Sequence, residues 1–245
     1  MSRGLGDVYK RQPFLLSKTE RLHMAVDDVV EVQEPPKKRV QCFIDGYNLY
    51  HAIDETRETK NHWVDLWKLA SKYISKNTCV LSNVFWFSAP PVHLTKRKQE
   101  LHANYSAALQ HCGVSVVSGK FKLKRVSCNA GSGCGKSFDR HEEKESDVNL
   151  AIGLVSAACN DEFDIAIVIT ADSDLCPPIK YVRNRFPNKQ VWILIPPKRR
   201  SRANDLKAIA NRDFEITNKD LRASCLLQFY RNNTGVVAQR PPEWS

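Results

Sequence analysis

Residues 164–174 read DIAIVITADSD. The IAIVIT run is continuous, β-branched and bounded by acids, which is how a strand covered on both faces of a sheet reads. It ends at Thr170, and the chain then delivers Asp172 and Asp174 within four residues. Working outward, VWILI at 191–195 is a second buried strand, halted by Pro196-Pro197, and VQCFID at 40–45 is a third, closing on Asp45. CVLSNVFWFSA at 79–89 stops at Pro90-Pro91, and VSVVSG follows Gly113. Helical spacing fills the gaps at 46–57, 63–70, 95–111, 143–160, 174–186 and 203–210. Residues 120–141, with Gly131, Gly133 and Gly135, read as loop, and the closing QRPPEWS reads as a tail. Strands alternating with helices predict an α/β fold with a mainly parallel sheet and helices on both faces. Such a sheet places its ligands at the carboxyl ends of the strands.

The chain has 245 residues, 42% hydrophobic and 26% charged, which excludes global disorder and a fibrous repeat. No apolar run approaches the ~18 residues of a membrane-spanning helix. Residues 1–39 show no sustained period and predict a disordered leader. The opening MSRGLGDVYKRQ resembles a translated sequencing adapter, so the first dozen residues are expected to be non-native. The ordered domain is expected over 40–218, with an extension over 219–245. Eight cysteines are scattered, and Cys42, Cys79 and Cys159 sit in apolar runs. That usage fits buried thiols in a reducing cytoplasm. Net charge is +10, and Lys180 to Arg212 carries ten Lys/Arg against Asp205 alone. Concentrated positive charge in a folded segment favours a polyanion, most often nucleic acid.

Three segments bring acids to one predicted edge. Asp45 ends the first strand, Asp172 and Asp174 follow the IAIVIT strand, and Asp147 lies in the first turns of the 143–160 helix, four residues from Glu143 on the same face. Singly, each has an ordinary role as a helix cap, a first-turn acid or a turn residue. Together they would repel one another unless some stayed protonated or a hard cation intervened. Mg²⁺ or Mn²⁺ would be held by such oxygens with waters to spare, and would activate water and stabilise a leaving oxygen at a phosphodiester.

The segments FIDGYNLY at 43–50, EKESDVNLA at 143–151 and ITADSDL at 169–175 resemble, as an ordered set, the NYN domains of the PIN-like nuclease superfamily, closest to the stand-alone bacterial type. The resemblance runs from about Val40 to Asn218. It implies a PIN-like three-layer sandwich and a Mg²⁺- or Mn²⁺-dependent ribonuclease. By position, Asp45, Asp147, Asp172 and Asp174 would form the acidic metal set, and Asn48 would help order it. Many relatives carry Gly where Ala171 stands here. Some members bind RNA without cutting it, so fold membership alone does not settle activity.

Other residues bear on the same chemistry. Lys198, Arg199, Arg200 and Arg202 follow the VWILI strand and would hold RNA phosphates at the acidic edge, with Lys120 and Lys122 extending the track. Cys128, Cys134 and His141 offer thiolate and imidazole to Zn²⁺. Their C-x5-C spacing and the want of a fourth ligand favour thiols without metal. His51 and His93 read as structural or exposed. The expected activity is therefore metal-dependent hydrolysis of RNA in the cytoplasm. The alternatives are a non-catalytic RNA-binding module and, from the D-x-D of Asp172 to Asp174, a sugar transferase, which leaves Asp45, Asp147 and the basic run unexplained.

Overall fold

In the computed structural model, which describes residues 35–128 and 134–245, the chain alternates strand and helix as its pattern requires. In chain order the elements are β1 (Lys38–Asp45), α1 (Gly46–Asp54), α2 (Leu66–Ser71), β2 (Cys79–Ser88), α3 (Lys96–His111), β3 (Ser115–Ser118), β4 (Lys120–Ser127) and β5 (Ser137–Lys144). There follow α4 (Ser146–Cys159), β6 (Ile165–Ile169), α5 (Cys176–Arg185), β7 (Gln190–Ile195), α6 (Asn204–Ile209), β8 (Arg212–Glu215), α7 (Asn218–Ala223), β9 (Phe229–Asn232) and β10 (Gly235–Gln239). Six strands form one sheet in the order β3-β2-β1-β6-β7-β8. Every pairing within it is parallel. The order reverses between β1 and β6, and that switch point is where an open α/β sheet opens its ligand crevice.

Side chains along each central strand alternate between two cores, as a period of two demands. Val40, Cys42 and Ile44 of β1, Ile165, Ile167 and Ile169 of β6, and Trp192 and Leu194 of β7 pack on one face, under residues of α1, α2, α3 and α7. Phe43, Ala166, Val168, Val191, Ile193 and Ile195 pack on the other, under α4, α5 and α6. The architecture is thus the three-layer PIN-like sandwich, and the continuous apolar runs reflect burial on both faces. No helix of the described residues is long and apolar enough to cross a membrane.

Several expectations are corrected. Residues 120–141 are not loop: β4 and β5 form an antiparallel hairpin in register from Lys120↔Lys144 to Ser127↔Ser137. Its strands are largely exposed and rich in charge, so no apolar run announced them. The helix expected from 143 starts at Ser146, because Glu143 and Lys144 complete β5 and Glu145 turns the chain with φ 77. A short 3₁₀ turn, Ser173–Leu175, precedes α5. The C-terminal tail is packed. Trp244 is buried against Trp63, His62 and Tyr105, and Arg97 grips Glu243 through two hydrogen bonds. Cys42 and Cys79 are buried as expected, but Cys159, at the end of α4, is exposed. The leader expected over 1–39 lies, up to residue 34, outside the described residues, as do Gly131 and Gly133.

One glycine fixes how α1 leaves the sheet. A Cβ on Gly46 would stand 2.4 Å from Trp86 Nε1 and 2.7 Å from the Phe87 carbonyl oxygen. The backbone after Asp45 must therefore run against β2 with no side chain between. Gly46→Ala should lower stability by about 1–3 kcal/mol through overpacking, read as a drop in the denaturant midpoint. An unchanged midpoint would show that β2 yields at no cost.

Candidate active site

Asp45 is the last residue of β1, only 4% exposed, and it also caps α1. One carboxylate oxygen accepts from the Asn48 backbone N–H at 3.0 Å and the other from the Thr170 hydroxyl at 2.9 Å. Thr170, wholly buried at the end of β6, in turn accepts from the Asp172 N–H at 3.0 Å. The Asn48 side-chain oxygen accepts from the Ala171 N–H at 3.1 Å. The two strand ends at the switch point are therefore stitched together by the capping chemistry of α1. Ala171, which stands where many relatives have Gly, is not among the residues with positive φ, so its methyl carries no backbone strain.

Asp172 caps the 3₁₀ turn by accepting from the Asp174 N–H at 3.0 Å. Asp147 opens α4, and its carboxyl is pushed up by burial and by the charges of Asp172 and Asp174. Asp147 in turn raises Asp45 and Glu143. Asp147 is thus the hub of a mutually repelling set, and the structure brings Asp45, Asp147, Asp172, Asp174 and Asn48 to one edge as the sequence predicts. Burial is the main cause that pushes Asp45 up to about 7, with Asp147 and Glu143 adding to it against the two hydrogen bonds.

Glu143 is an addition to the expected set. It comes from the end of β5 and accepts from the Ala89 N–H at 3.1 Å and from the Ser146 hydroxyl. The four-residue spacing to Asp147 pointed to it for the wrong reason, since the two lie on a strand and a helix and not on one helix face. Thr170 was also missed; a hydroxyl at a strand end carries little signal on its own.

Among the described residues no three His, Cys, Asp or Glu side chains gather closely enough to close on one ion. The donor set still suits a hard cation: all oxygens, mutually repelling, at a sheet edge. Mg²⁺ is commonly held by one or two carboxylates and keeps its waters, so direct ligation by all four aspartates is not required.

The basic loop lies where it was expected, after β7 at the same edge, but most of it is engaged within the chain. Lys198 donates to the Glu55 carbonyl at 2.8 Å, Arg199 pairs with the Glu55 carboxylate, and Arg200 pairs with Asp213 at 3.0 Å. Glu55 and Asp213 are remote in sequence, so the charge run alone could not reveal this. Arg202 is exposed with no ion pair among the described residues. On the hairpin Lys120 pairs with Glu145, while Lys122 is exposed and unpaired by the same measure. The zinc trio is not brought together. The Cys128 N–H bonds the Lys136 carbonyl at the hairpin tip, whereas His141 lies down the stem opposite Leu123, stacked on His93 at 4.4 Å.

A cavity of about 550 Å³, lined by Gly46 and other residues of α1, has no counterpart in the sequence pattern. Its aromatic walls, Tyr47, Tyr50, Trp86, Tyr105, Phe121 and Trp244, come from five separate segments, which is why no local motif marks it. His51 and His93, expected to be structural or exposed, line it too.

A three-layer parallel α/β sheet with an acidic switch point defines a PIN-like domain. The chain belongs to the NYN domain family, whose model matches residues 39–218. It is 26% identical to 6-hydroxy-3-succinoylpyridine 3-monooxygenase HspA of Pseudomonas putida (strain DSM 28022 / S16), over 77% of this chain and 70% of that one. Among solved structures it is similar to a protein of unknown function from Vibrio parahaemolyticus RIMD 2210633, at 18% identity and a TM-score of 0.48, covering 80% of this chain and 99% of that one.

The raised Asp45 carboxyl has a pH signature. Folded Asp45 keeps its proton from 3.8 up to about 7, where an unfolded aspartate has released it. The folded state then binds more protons, so stability falls as pH rises through that window. In metal-free buffer Asp45→Asn should raise the melting temperature at pH 8, by up to about 4 kcal/mol of stability, and change it little at pH 4. A variant less stable at pH 8 than at pH 4, relative to wild type, would contradict the burial cost.

Proposed function

We propose that this NYN protein is a divalent-metal-dependent ribonuclease that hydrolyses RNA phosphodiester bonds in the cytoplasm. The observation that carries the reading is the Asp45 carboxyl at the switch point of the sheet, raised mainly by its burial and further by Asp147 and Glu143. So many carboxylates facing one another favour a cation, and an anionic backbone needs one in order to approach them. Asp45, Asp147, Asp172 and Asp174 would hold Mg²⁺ or Mn²⁺. The bound ion supplies Lewis acidity at the phosphoryl oxygens and lowers the pKa of water for in-line attack.

The chain's own groups do the rest. Asn48 and Thr170 fix Asp45 against the strand end, so its oxygens keep one direction. Ser146 and the Ala89 N–H hold Glu143 beside Asp147, where burial raises its affinity for a proton and suits it to accept one from attacking water. Cleavage of the P–O3′ bond would leave a 5′-phosphate and a 3′-hydroxyl. Arg202 and Lys122 would meet phosphates, because among the described residues Lys120, Lys198, Arg199 and Arg200 already have partners. They would position the chain without reading its bases.

The aromatic cavity supports a second reading. The Pseudomonas relative is named for acting on a substituted pyridine, and a cavity of about 550 Å³ is ample for such a ring. Oxygen insertion would need O₂ and a two-electron reductant, so loss of 6-hydroxy-3-succinoylpyridine in the presence of both tests it directly.

For the hydrolase reading, labelled single-stranded and structured RNAs are incubated with Mg²⁺, Mn²⁺ or chelator. Cleavage should require the ion, and Asp172→Asn should reduce it at least a hundredfold while the melting curve stays cooperative. Full activity in excess chelator would overturn the metal mechanism. Binding supplies a separate check. Changing Arg202 and Lys122 together to Ala should weaken RNA affinity across sequences and flatten the slope of log affinity on log salt by about two units. A wild-type slope would place both side chains on a solvated face.

A further inference from the structure

The cavity beside α1 is built differently from the acidic edge it adjoins. One of its lining residues, Gly46, directly follows Asp45, and α1 carries both the capping contact to Asp45 and the cavity walls Tyr47 and Tyr50. Those two rings are about half exposed, on the open side of a helix whose Leu49, Ala52 and Ile53 are buried. Phe121 closes from the hairpin, its ring 4.4 Å from His93 and 6.5 Å from Tyr47. The mouth therefore presents aromatic faces, while the floor reaches Trp86 and Trp244.

The polar groups of the wall are almost all uncharged. Asp54 and Lys98 are its charged side chains, and the remaining polarity comes mainly from histidines. Burial lowers His51, His62, His93 and His102, so each is a neutral imidazole near pH 7, offering one donor and one acceptor. Two of these rings are incompletely satisfied: Nδ1 of His62 and Nδ1 of His93 are buried with no hydrogen-bond partner. The His62 side chain is only 6% exposed, and its other nitrogen stands 3.5 Å from Asp54. A phosphate would find a single ammonium here, whereas a flat neutral ring carrying both donors and acceptors would find stacking faces and imidazole partners together.

We propose that this cavity is a base-binding subsite, receiving one unstacked nucleobase of the RNA chain on the exposed rings of Tyr47 and Tyr50, with the adjoining phosphodiester at the Asp45 edge. The proposal rests on the ribonuclease reading for its substrate, but its binding step does not need the chemistry to occur. Stacking on aromatic faces is the usual way a protein holds an unpaired base, and hydrogen bonds to the base edge supply the selectivity. Cleavage would then fall next to a preferred base, selected by the cavity and not by the basic residues.

The test uses the whole protein in chelator, where no RNA is cut. The four nucleosides, which carry no phosphate for the metal-free acids to repel, are titrated separately and followed by tryptophan fluorescence, since Trp86 and Trp244 line the cavity. At least one should quench the signal saturably. Tyr47→Ala and Tyr50→Ala should each weaken that binding about tenfold or more. Circular dichroism and melting curves of the variants establish folding, and Tyr50→Phe, which keeps the ring, should restore binding should Tyr50→Ala fail to fold. Absence of binding by all four nucleosides up to millimolar concentration overturns the proposal. So does binding equal to wild type by the Tyr47→Ala and Tyr50→Ala variants, or binding of a free hydroxypyridine with no nucleoside bound. If nucleosides bind as expected but RNA stays intact with Mg²⁺ or Mn²⁺, the subsite stands and the hydrolase reading fails.

Discussion

The parallel pairing of β1 with β6 is the contact on which the site depends. Both strands are covered on both faces, and Val40 to Ile44 pair in register with Ile165 to Ile169. That register brings Asp45 and Thr170 to the same edge, where the Thr170 hydroxyl binds Asp45 and the Ala171 N–H binds Asn48. The helix that Asp45 caps then leaves across β2, against which Gly46 must lie bare. Core packing, strand register and helix capping together hold one carboxyl in a place where its charge is poorly solvated. Taking up a cation there relieves that cost, and this is the physical link between the fold and the proposed chemistry.

Electrostatics divides the edge into two kinds of charge. The acids are crowded and short of counter-ions: Asp147 feels Asp172 and Asp174, and it acts on Asp45 and Glu143. The bases nearby are largely committed. Glu55 engages both Lys198 and Arg199, and Asp213 engages Arg200. A run of basic residues in sequence thus becomes mostly internal bracing, with Arg202 and Lys122 left to face solvent. Positive charge at this edge is therefore sparser than composition suggests, and a divalent ion would carry more of the task of drawing in a polyanion.

The buried strands and their closing acids were legible because burial on both faces writes a continuous apolar run, and because a charge at the end of such a run is conspicuous. Asp45, Asp172 and Asp174 stood out this way, Asp147 as a first-turn acid of the 143–160 helix, and Asn48 through the family resemblance. Elements stabilised by pairing and not by burial were not legible. The β4–β5 hairpin is exposed and charged, so its residues read as loop, and Glu143 was placed on the wrong element although beside the right neighbour. The C-terminal segment read as a tail because Pro and polar residues surround Trp244, whose burial depends on Trp63 and Tyr105 far away in sequence. The aromatic cavity is the extreme case: five segments each contribute one or two ordinary aromatic residues, and only the fold makes them a site.

The most direct test of the central claim is a calorimetric titration of Mn²⁺ into the protein at pH 7, repeated in two buffers of different ionisation enthalpy. Because Asp45 holds a proton up to about 7 in the empty site, binding should release protons, and the apparent enthalpies in the two buffers should differ accordingly. Asp45→Asn should lose both the proton release and most of the affinity. Mn²⁺ binding of unchanged strength and unchanged proton release in Asp45→Asn, or no binding by the wild type, would contradict the account.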